Sequence, residues 1–341
     1  MKTKCLEREI TEPVLLSLSD GRVNPQAIGW SRRPLHQCSI NHNYLRKKRW
    51  HYWCVTNDDY VFSATIADLD YTGLVIVYFI NLRTGKKEQS VALIPFAHNM
   101  NMPDGVNDDI IYASKKLSVT FKQRDNTVLI DVTSNALIGK SIRASFVVHR
   151  PPTHETLNVV VPWTSNKYQY TSKQNTLPTQ GTVTCGNEHF EFLESNSFAC
   201  LDYGHGVWPY KSAWNWGSAS GHQGDHVIGL NFGGKWTEGT GSTENGFCID
   251  GKLFKVSEEL EWRYDRKQFK NVPWTIKSVA SDAVDLTFTP RFENRSDINI
   301  GLISSHVHQL FGHYDGTIKA DGKTYTTDKL GGWAEEHLAR W

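Results

Sequence analysis

Residues 116–134 read KLSVTFKQRDNTVLIDVTS and combine two alternating segments with a polar turn. Apolar side chains occupy every second position on both sides of the turn: Leu117, Val119, Phe121, Val128, Ile130 and Val132. In a β-strand successive side chains point to opposite faces, so this pattern predicts two strands that each bury one face. The polar residues Arg124, Asp125 and Asn126 between them predict a tight turn. The stretch therefore predicts an antiparallel hairpin with one face in water.

The same arrangement recurs along the chain. Asp-Gly pairs, which favour two-residue hairpin turns, separate apolar segments at Asp250-Gly251 and Asp321-Gly322, and Thr84-Gly85 marks another turn. The segment GLVIVYFINL (73–82) predicts a buried strand, since it is too short to cross a membrane. Only GWAEEHLARW (332–341) has a helical pattern. Many strands with close turns and little helix predict an all-β fold of closed or sandwiched antiparallel sheets.

A polar segment divides the chain into near-equal halves. It reads TSNKYQYTSKQNTLPTQG (164–181) and ends in a turn that contains Pro and Gly. Each half carries a tryptophan pair, W-x-x-W at 50–53 and W-x-W at 214–216. We therefore predict two tandem β-barrel-like domains, residues 1–165 and residues 166–341. The second would carry the LDYGHG (201–206) and WNW motifs.

Composition argues against several classes of protein. The 341 residues include 37 Lys and Arg and 36 Asp and Glu, and the resulting net charge of +1 disfavours nucleic acid as a partner. Residues 1–13 lack the apolar core of a signal peptide, and no apolar segment approaches about 18 residues. We expect a cytoplasmic protein without stable membrane insertion. Its six widely spaced cysteines should remain reduced thiols: Cys5, Cys38, Cys54, Cys185, Cys200 and Cys248.

We predict no cofactor and no metal. Two G-x-x-x-x-G-K segments (229–235 and 246–252) lack the following Ser or Thr that would hold magnesium, and there is no G-x-G-x-x-G. His306 and His308 would share one face of a strand, which suits a shared metal ion. Because the chain contains 14 histidines, we assign this pair to a ligand pocket and leave metal binding as the alternative.

A mixture of aromatic, titratable and glycine residues occupies positions 199–235, ACLDYGHGVWPYKSAWNWGSASGHQGDHVIGLNFGGK. A buried carboxyl can act as a general acid near neutral pH, and tryptophan faces stabilise a developing cation. The predicted catalytic residues are Asp202, Tyr203, His205 and Glu244. The predicted ligand-binding residues are Trp208, Tyr210, Trp214, Trp216, Asn231, Asn245, His306 and His308.

The local geometry leads to two further expectations. Gly204-His205-Gly206 should turn the backbone at a strand end, so that Asp202, Tyr203 and His205 supply a proton donor and acceptor pair. At least three of five residues should line one cavity: Asp202, Tyr203, His205, Trp214 and Trp216. Tight packing at a barrel mouth is the structural alternative.

Seven segments, in order along nearly the whole chain, resemble the family called domain of unknown function 2804. They read GWSRRPL (29–35), KKRWHYWCV (47–55), ADLDYTG (67–73), YTSK (170–173), LDYGHGVWPYKSAWNWGSASG (201–221), IGLNFG (228–233) and TENGFCIDGKL (243–253). The family is more distantly similar to two-domain lipocalin-like proteins that include carotenoid 1,2-hydratase, kievitone hydratase, tocopherol cyclase and a yeast ceramide carrier. This resemblance implies two tandem lipocalin-like domains and a pocket for an apolar isoprenoid, lipid or acyl ligand. The catalytic residues above rest on this chain's own chemistry and are not carried over from those enzymes.

Three functions follow as hypotheses. The first is binding of an apolar small molecule with cofactor-independent hydration, cyclisation or isomerisation by acid–base chemistry. The second is a non-enzymatic intracellular lipid carrier with the same pocket. The third is a sugar-binding or sugar-processing protein, since tryptophan faces also stack on sugar rings. A buried acid with a strongly shifted pKa would favour the enzyme over the carrier.

Overall fold

The computed structural model describes residues 5–42, 44–135 and 139–341, and these form 24 strands and one 3-10 helical turn, Pro25–Ala27. In chain order the strands are β1 (Val14–Leu15), β2 (Trp30–Ser31), β3 (His36–Gln37), β4 (Lys47–Thr56), β5 (Tyr60–Asp68), β6 (Thr72–Asn81), β7 (Lys86–Pro95), β8 (Ile110–Ala113), β9 (Leu117–Arg124), β10 (Thr127–Ser134), β11 (Ile142–His149), β12 (Leu157–Thr164), β13 (Lys167–Cys185), β14 (Glu188–Phe192), β15 (Phe198–Val207), β16 (Lys211–Gln223), β17 (His226–Gly234), β18 (Gly246–Ile249), β19 (Lys252–Lys255), β20 (Leu260–Arg263), β21 (Trp274–Ser278), β22 (Val284–Ile300), β23 (Ile303–Ala320) and β24 (Lys323–Arg340). β1 and β3 pair with each other, and the other strands form two large sheets.

The first sheet contains 13 strands, ten of them in the order β7-β6-β5-β4-β15-β13-β11-β10-β9-β8. It is antiparallel and curls around an apolar core as a half-barrel. Alternate residues of β9 and β10 face this core, and Val119, Phe121 and Ile130 are fully buried in it. An irregularity between Gln174 and Leu177 lets the 19-residue strand β13 pair with β12 in its first part and with β11 in its second.

The second sheet contains nine strands in the order β19-β18-β17-β16-β24-β23-β22-β21-β20. It is also antiparallel and curls around its own core, in which Leu230, Trp274, Phe288, Leu310 and Tyr314 are fully buried. Its three longest strands, β22, β23 and β24, contain 17, 18 and 18 residues. The predicted all-β fold with two lipocalin-like antiparallel domains and little helix is confirmed.

The predicted turns are also confirmed. Asp125 lies between β9 and β10, and Thr84-Gly85 lies between β6 and β7. The Asp-Gly pairs join β18 to β19 and β23 to β24. Both residues of each pair have positive φ, 51° and 82° at Asp250-Gly251 and 48° and 74° at Asp321-Gly322. Two-residue hairpin turns require this left-handed backbone, which explains the Asp-Gly sequence.

The helical prediction for residues 332–341 is wrong. Residues up to Arg340 belong to β24, which pairs with β16 on one side and with β23 on the other. Trp333 and Glu335 point to one face of this strand, and Ala334 and Glu336 point to the other. Hydrogen bonding along both edges outweighs the local helical pattern, because backbone pairing and packing decide the structure of short segments.

The chain passes from the first sheet to the second between Val207 and Lys211. The strands that follow residue 166, from β13 to β15, therefore still belong to the first sheet. The division into domains of residues 1–165 and 166–341 stays a prediction. A third apolar cluster, which includes Cys54, Trp216, Phe311 and Trp333, lies between the two sheets.

All six cysteines are free in the structure, as predicted. Five of them are buried, and Cys5 is half-buried. In the part of the chain that the structure describes, no helix is long and apolar enough to cross a membrane.

Candidate functional site

The LDYGHG motif continues strand β15 to Val207 without a turn. Its two glycines make room for neighbouring groups. A Cβ atom on Gly204 would lie 2.3 Å from the Trp50 ring, and one on Gly206 would lie 2.2 Å from the Tyr168 carbonyl oxygen. The predicted backbone turn at Gly204-His205-Gly206 is therefore wrong, since both glycines serve close approach between strands.

Asp202 and its two predicted partners lie on opposite faces of β15. Tyr203 belongs to the core of the first sheet, where its hydroxyl donates to the Asp104 carbonyl oxygen at 2.7 Å. His205 lies on the same face as Tyr203, and burial lowers the pKa of its imidazole to about 3. The expected pairing of Asp202 with Tyr203 and His205 is wrong, because side chains one and three positions apart on a strand point to opposite faces. Their catalytic roles stay predictions.

A lysine between the sheets contacts Asp202 instead. Lys173 lies opposite Asp202 in the pairing of β13 with β15, and its Nζ atom is 2.9 Å from Asp202 Oδ2 and 3.4 Å from Glu244 Oε2. The same ammonium lies 4.1 Å from the centre of the Trp216 ring, a cation–π contact. Burial alone would lower the pKa of Lys173, but Asp202 and Glu244 outweigh burial and raise it. Asp202 and Trp216 thus meet at a buried cation.

Glu335 on β24 adds a third carboxyl to this cluster. Its Oε1 atom accepts a hydrogen bond of 3.0 Å from Trp214 Nε1, and its Oε2 atom accepts one of 3.2 Å from Gln309 Nε2. The orientation of the Gln309 amide is fixed, because its Oε1 atom accepts hydrogen bonds of 3.0 Å from both Tyr78 and Asn294. Glu335 is therefore held in place from two sides.

The cluster contains one ammonium and three buried carboxyls, so ionising all three is unfavourable. Burial raises the pKa of Glu244, and it raises the pKa of Glu335 to about 7. The hydrogen bond from Trp214 and the charge of Lys173 oppose the shift of Glu335, whereas Asp202 and Glu244 add to it. With a pKa of about 7, a substantial fraction of Glu335 is protonated near neutral pH and can donate that proton.

Three aromatic rings adjoin the acids. Tyr52, Trp216 and Trp333 meet edge to face, with ring centres between 5.2 and 6.5 Å apart. Trp216 Nε1 donates to Asn231 at 2.9 Å, and the Asn231 amide donates to the carbonyl oxygen of Glu244 at 2.7 Å. Asn231 thereby fixes the ring beside the acid cluster. The faces of such rings attract positive charge.

Two rows of side chains lead outward from the cluster. The first-sheet row follows the register across five strand pairs and consists of Lys173, Asp202, Tyr52, Thr65, Ile76 and Val91. Exposure rises along it, from 7% at Lys173 to 49% at Val91 on the edge strand β7. The second-sheet row lies next to Glu335 and consists of Trp214, His337, Val307 and Ser296.

The two rows face each other across a gap. At its inner end Gln309 Nε2 donates to the Tyr52 hydroxyl at 3.3 Å, so the sheets touch there. Farther out, Ile76 and Val307 are only half-buried, although both point toward the opposite sheet. From this half-burial we infer an open groove between the sheets, which we call the inter-sheet groove. It is bounded along β7 by a contact between the sheets, in which Lys87 Nζ donates to Asn294 Oδ1 at 2.5 Å. Exposed apolar side chains lie at its mouth: Val91, Leu93 and Ile298.

Three predicted ligand-binding residues make other contacts. Trp208 is buried in a cluster of tryptophans, and Tyr210 is 40% exposed at the surface. Asn245 accepts a hydrogen bond from the Gly233 N–H and donates one to the Glu258 carbonyl oxygen, both at 2.8 Å. Asn245 thus joins backbone segments, and nothing in its contacts requires a ligand.

His306 and His308 lie on the face of β23 opposite to Gln309. His306 Nδ1 is 2.9 Å from Asp297 Oδ1, and His308 Nδ1 is 2.6 Å from Glu293 Oε1. Within residues 5–42, 44–135 and 139–341, no group of three or more His, Cys, Asp or Glu side chains could hold a metal ion. Because they point away from Gln309, the two histidines are separate from the inter-sheet groove.

Sequence reasoning did not find Lys173, Gln309 or Glu335. Lys173 lies in the polar segment that predicted a domain boundary, and Glu335 lies in the segment that predicted a helix. Two signals were present. Lys173 ends the YTSK motif, and the period-two series of Trp333, Glu335 and His337 places these three side chains on one face if the segment is a strand.

A separate cleft of about 600 Å³ opens between the sheets at the far ends of β4 and β16. Its lining includes Phe311, whose ring packs 6.0 Å from that of Trp333. Its rim carries Asp58, Arg291 and His313. Because its lining does not include Asp202, Glu244 or Glu335, we assign the acid chemistry to the inter-sheet groove.

Glu335 should make a distinct contribution to the pH dependence of stability. In the unfolded chain its pKa returns to its usual 4.5, below the folded value of about 7. As pH rises between these values the unfolded state loses the proton first, so the free energy of unfolding falls by about 3 kcal/mol. This fall should be absent in Glu335→Gln. Urea unfolding of both proteins from about pH 4 to about pH 8 measures the difference.

Glu336→Gln is the matched control for this titration. Glu336 points to the other face of β24, and although burial would raise its pKa, hydrogen bonds from Arg266 and Lys235 lower it. Its stabilisation is therefore present above the usual pKa and is lost as pH falls, the opposite direction. If the glutamine amide of Glu335→Gln destabilises the protein by a fixed amount beside Trp214, the slope of the free energy of unfolding against pH does not change. If the free energy of unfolding changes with pH in the same way in the wild type and in Glu335→Gln, the raised pKa of Glu335 would be contradicted.

Comparison with solved structures shows what this fold is similar to. CghA with Sch210972 has a TM-score of 0.56 at 10% identity, covering 87% of this chain and 89% of that chain. CghA alone has a TM-score of 0.50 at 10% identity, covering 88% and 90%. Kievitone hydratase from Nectria haematococca has a TM-score of 0.46 at 12% identity, covering 86% and 88%. At these identities the likeness to CghA shows a shared fold.

Sequence comparison gives the family. No curated protein sequence matches the chain. The model of one family matches residues 7–341, which is nearly the whole chain, in agreement with the motifs between Gly29 and Leu253. The chain therefore belongs to the family described as Domain of unknown function (DUF2804).

Proposed function

We propose that the inter-sheet groove binds an apolar small molecule and that Glu335 donates a proton to it. One observation carries this proposal: a buried carboxyl whose pKa is raised to about 7 lies beside Trp214 and Trp216, at the inner end of the groove inferred between the sheets. Protonation of a carbon–carbon double bond gives a carbocation. Capture by water followed by loss of a proton gives hydration, attack by a second double bond followed by loss of a proton gives cyclisation, and loss of a different proton gives isomerisation. In each route the released proton restores the acid form of Glu335. None of these steps needs an oxidant or a reductant.

The neighbours of Glu335 have separate roles in this scheme. Tyr52, Trp216 and Trp333 present aromatic surface beside the acid, which stabilises positive charge on the bound molecule. Lys173 compensates the charge of Asp202, and the negative charge that remains near Glu335 keeps its proton in place until the substrate takes it. These groups position and tune the acid.

The buried charges favour catalysis over simple carriage. A carrier needs only an apolar surface that excludes water. Burying an ion costs several kcal/mol unless other groups compensate it, and this cluster places Lys173, Asp202 and Glu244 between the sheets. Strongly shifted pKa values next to a groove are a feature of acid–base sites.

Occupancy of the groove can be tested with Ile76→Trp. Ile76 is half-buried in the first-sheet row, so an indole at this position would fill the gap in front of Glu335. We expect binding of the apolar fluorescent probe phenylnaphthylamine to weaken at least about tenfold, because the larger side chain takes the space of the ligand. Native mass spectrometry of the purified variant should likewise show loss of any apolar molecule that the wild type retains.

The matched control is Ile111→Trp. Ile111 is 57% exposed on β8, at the opposite edge of the same sheet. A tryptophan at this position therefore adds the same bulk away from the groove. This variant should bind the probe as the wild type does. Equal binding by Ile76→Trp and wild type would place the ligand elsewhere and remove the basis for Glu335 as its acid.

A further inference from the structure

A half-buried arginine in the first half-barrel is only partly satisfied. Arg150 follows β11, and its guanidinium lies 5.7 Å from the centre of the Trp53 ring. Its NH1 group donates to Asn107 Oδ1 at 2.8 Å, but its buried Nε and NH2 groups have no hydrogen-bond partner among the described residues. In the same part of the chain, no carboxylate forms an ion pair with it. A buried, uncompensated guanidinium is costly, and burial lowers the pKa of Arg150 to about 10.

Two neighbours of Arg150 are also unsatisfied. His51 and Trp53 lie on one face of β4, and both are at most 2% exposed. His51 Nε2 and Trp53 Nε1 are buried without a partner in the described ranges. Burial, together with the charge of Arg150, lowers the pKa of His51 to about 3, so its ring is neutral. Arg150 Nε, Arg150 NH2 and Trp53 Nε1 are all donors, so a ligand that bonded to them would have to be a hydrogen-bond acceptor.

The geometry of the free guanidinium groups selects the kind of acceptor. Nε–H and one N–H of NH2 form the side-on edge of a guanidinium, and Asn107 occupies the other terminal nitrogen. A carboxylate matches this edge with two parallel hydrogen bonds.

This location is distinct from the inter-sheet groove. His51 and Trp53 point into the first half-barrel, whereas Tyr52 between them points toward the second sheet. The loop of residues 96–109 covers this end of the half-barrel, with Met102 and Val106 packed into its apolar core. The hydrogen bond from Arg150 to Asn107 lies at the exposed rim of this end, while the buried Nε and NH2 atoms of Arg150 lie on its inner side.

We propose that this end of the first half-barrel is a second binding site, which takes a carboxylate on the side-on edge of Arg150, with Trp53 and His51 beside it. The carboxylate belongs either to a small free acid or to the head of an apolar acid whose chain enters the core. The site is independent of Glu335 and of the proposed function. Its chemistry is recognition of charge and shape, without a covalent step.

Three probes at equal concentration and ionic strength distinguish the sources. Decanoate carries both a carboxylate and an apolar chain, acetate carries only the carboxylate, and decanol carries only the chain. We expect decanoate to raise the unfolding temperature saturably if the ligand is an apolar acid, and acetate to do so equally if it is a small free acid. Equal shifts from decanol and decanoate would overturn the proposal, since the carboxylate would then contribute nothing.

The site is located by Arg150→Met and Arg150→Lys. We expect Arg150→Met to weaken binding of the active acid at least about tenfold, and Arg150→Lys to weaken it less, because lysine keeps the charge but not the two parallel donors. Arg143→Met, an exposed position on β11, is the matched control and should bind as the wild type does. Ile76→Trp should also retain binding, since it blocks only the inter-sheet groove.

A measurement on the wild type covers the case in which Arg150→Met does not fold. Decanoate labelled with ¹³C at the carboxyl should show a bound signal that remains ionised when the pH is lowered below the usual pKa of the free acid, because Arg150 stabilises the anion. A bound carboxyl that titrates as it does in water would overturn the proposal. So would the absence of any stabilisation of the wild type by decanoate or acetate.

Discussion

Replacing Glu335 by glutamine is expected to lower the turnover of the groove ligand by about 10²–10⁴-fold, the usual cost of losing a general acid. The glutamine side chain has nearly the same volume, but it has no acidic proton to donate. Its NH2 group cannot accept, so it keeps only one of the two hydrogen bonds from Trp214 and Gln309. Ligand affinity should change only a few-fold. The measurement is product formation from the molecule that native mass spectrometry recovers from the groove, together with its dissociation constant.

The variant Asp202→Asn tests whether the general acid is Glu335 or Asp202, the residue that the sequence predicted. Asp202 raises the pKa of Glu335 through its charge, so its removal should shift the pH profile of turnover to lower pH. At its new optimum the variant should remain active. Loss of turnover at every pH in Asp202→Asn, with full turnover in Glu335→Gln, would make Asp202 the acid. If the wild type binds the ligand but forms no product, the protein would be a carrier and not an enzyme.

The fold could be predicted from the sequence because its signals are local. Period-two alternation in residues 116–134 and the Asp-Gly pairs at Asp250 and Asp321 each fix a short stretch of backbone, and the structure contains the corresponding hairpins. The exception is the C-terminal segment. Its composition suits a helix, but β16 and β23 hydrogen-bond to both of its edges. The turn at Asp321-Gly322 indicates the pairing with β23, whereas the pairing with the distant strand β16 leaves no local signal.

The candidate site could be predicted only in part. Asp202 and Trp216 were expected in one place, and they do meet, each in contact with Lys173. The sequence does not indicate that contact, since Lys173 belongs to the first sheet and Trp216 to the second. The strand alternation that predicted the fold also places Tyr203 and His205 on the other face of β15 from Asp202. The turn expected at Gly204-His205-Gly206 is absent because β15 continues there, and the catalytic roles of Tyr203 and His205 stay predictions.

Glu335 shows why the acid itself escaped sequence reasoning. Its pKa depends on burial between two sheets and on Asp202 and Glu244, which lie far from it in the chain. A carboxyl in GWAEEHLARW looks like its neighbour Glu336, yet Lys235 and Arg266 hold that second carboxyl ionised on the opposite face. Adjacent residues of the same type therefore differ in protonation through long-range packing alone.

Lys173→Met should lower the free energy of unfolding by about 3–5 kcal/mol near pH 8, because removal of one partner leaves buried charges uncompensated. Asp202 and Glu244 would both lose the ammonium that lies within 3.4 Å of them. Their pKa values would then rise, and the folded state would take up protons as the pH falls. The loss of stability should therefore be smaller near pH 5 than near pH 8, as urea unfolding at both values can measure.

Two further variants decide whether this loss reflects charge or shape. Lys167→Met changes an exposed lysine at the start of the same strand and should alter stability by no more than about 0.5 kcal/mol. The triple variant Lys173→Met, Asp202→Asn, Glu244→Gln removes the ammonium and two carboxylates together, and it should recover most of the stability and lose the pH dependence, because an uncharged cluster needs no compensation. If the triple variant is as unstable as Lys173→Met at both pH values, the lysine acts through packing against Trp216. Asp202 and Glu244 would then add less to the raised pKa of Glu335, and burial would remain its main cause.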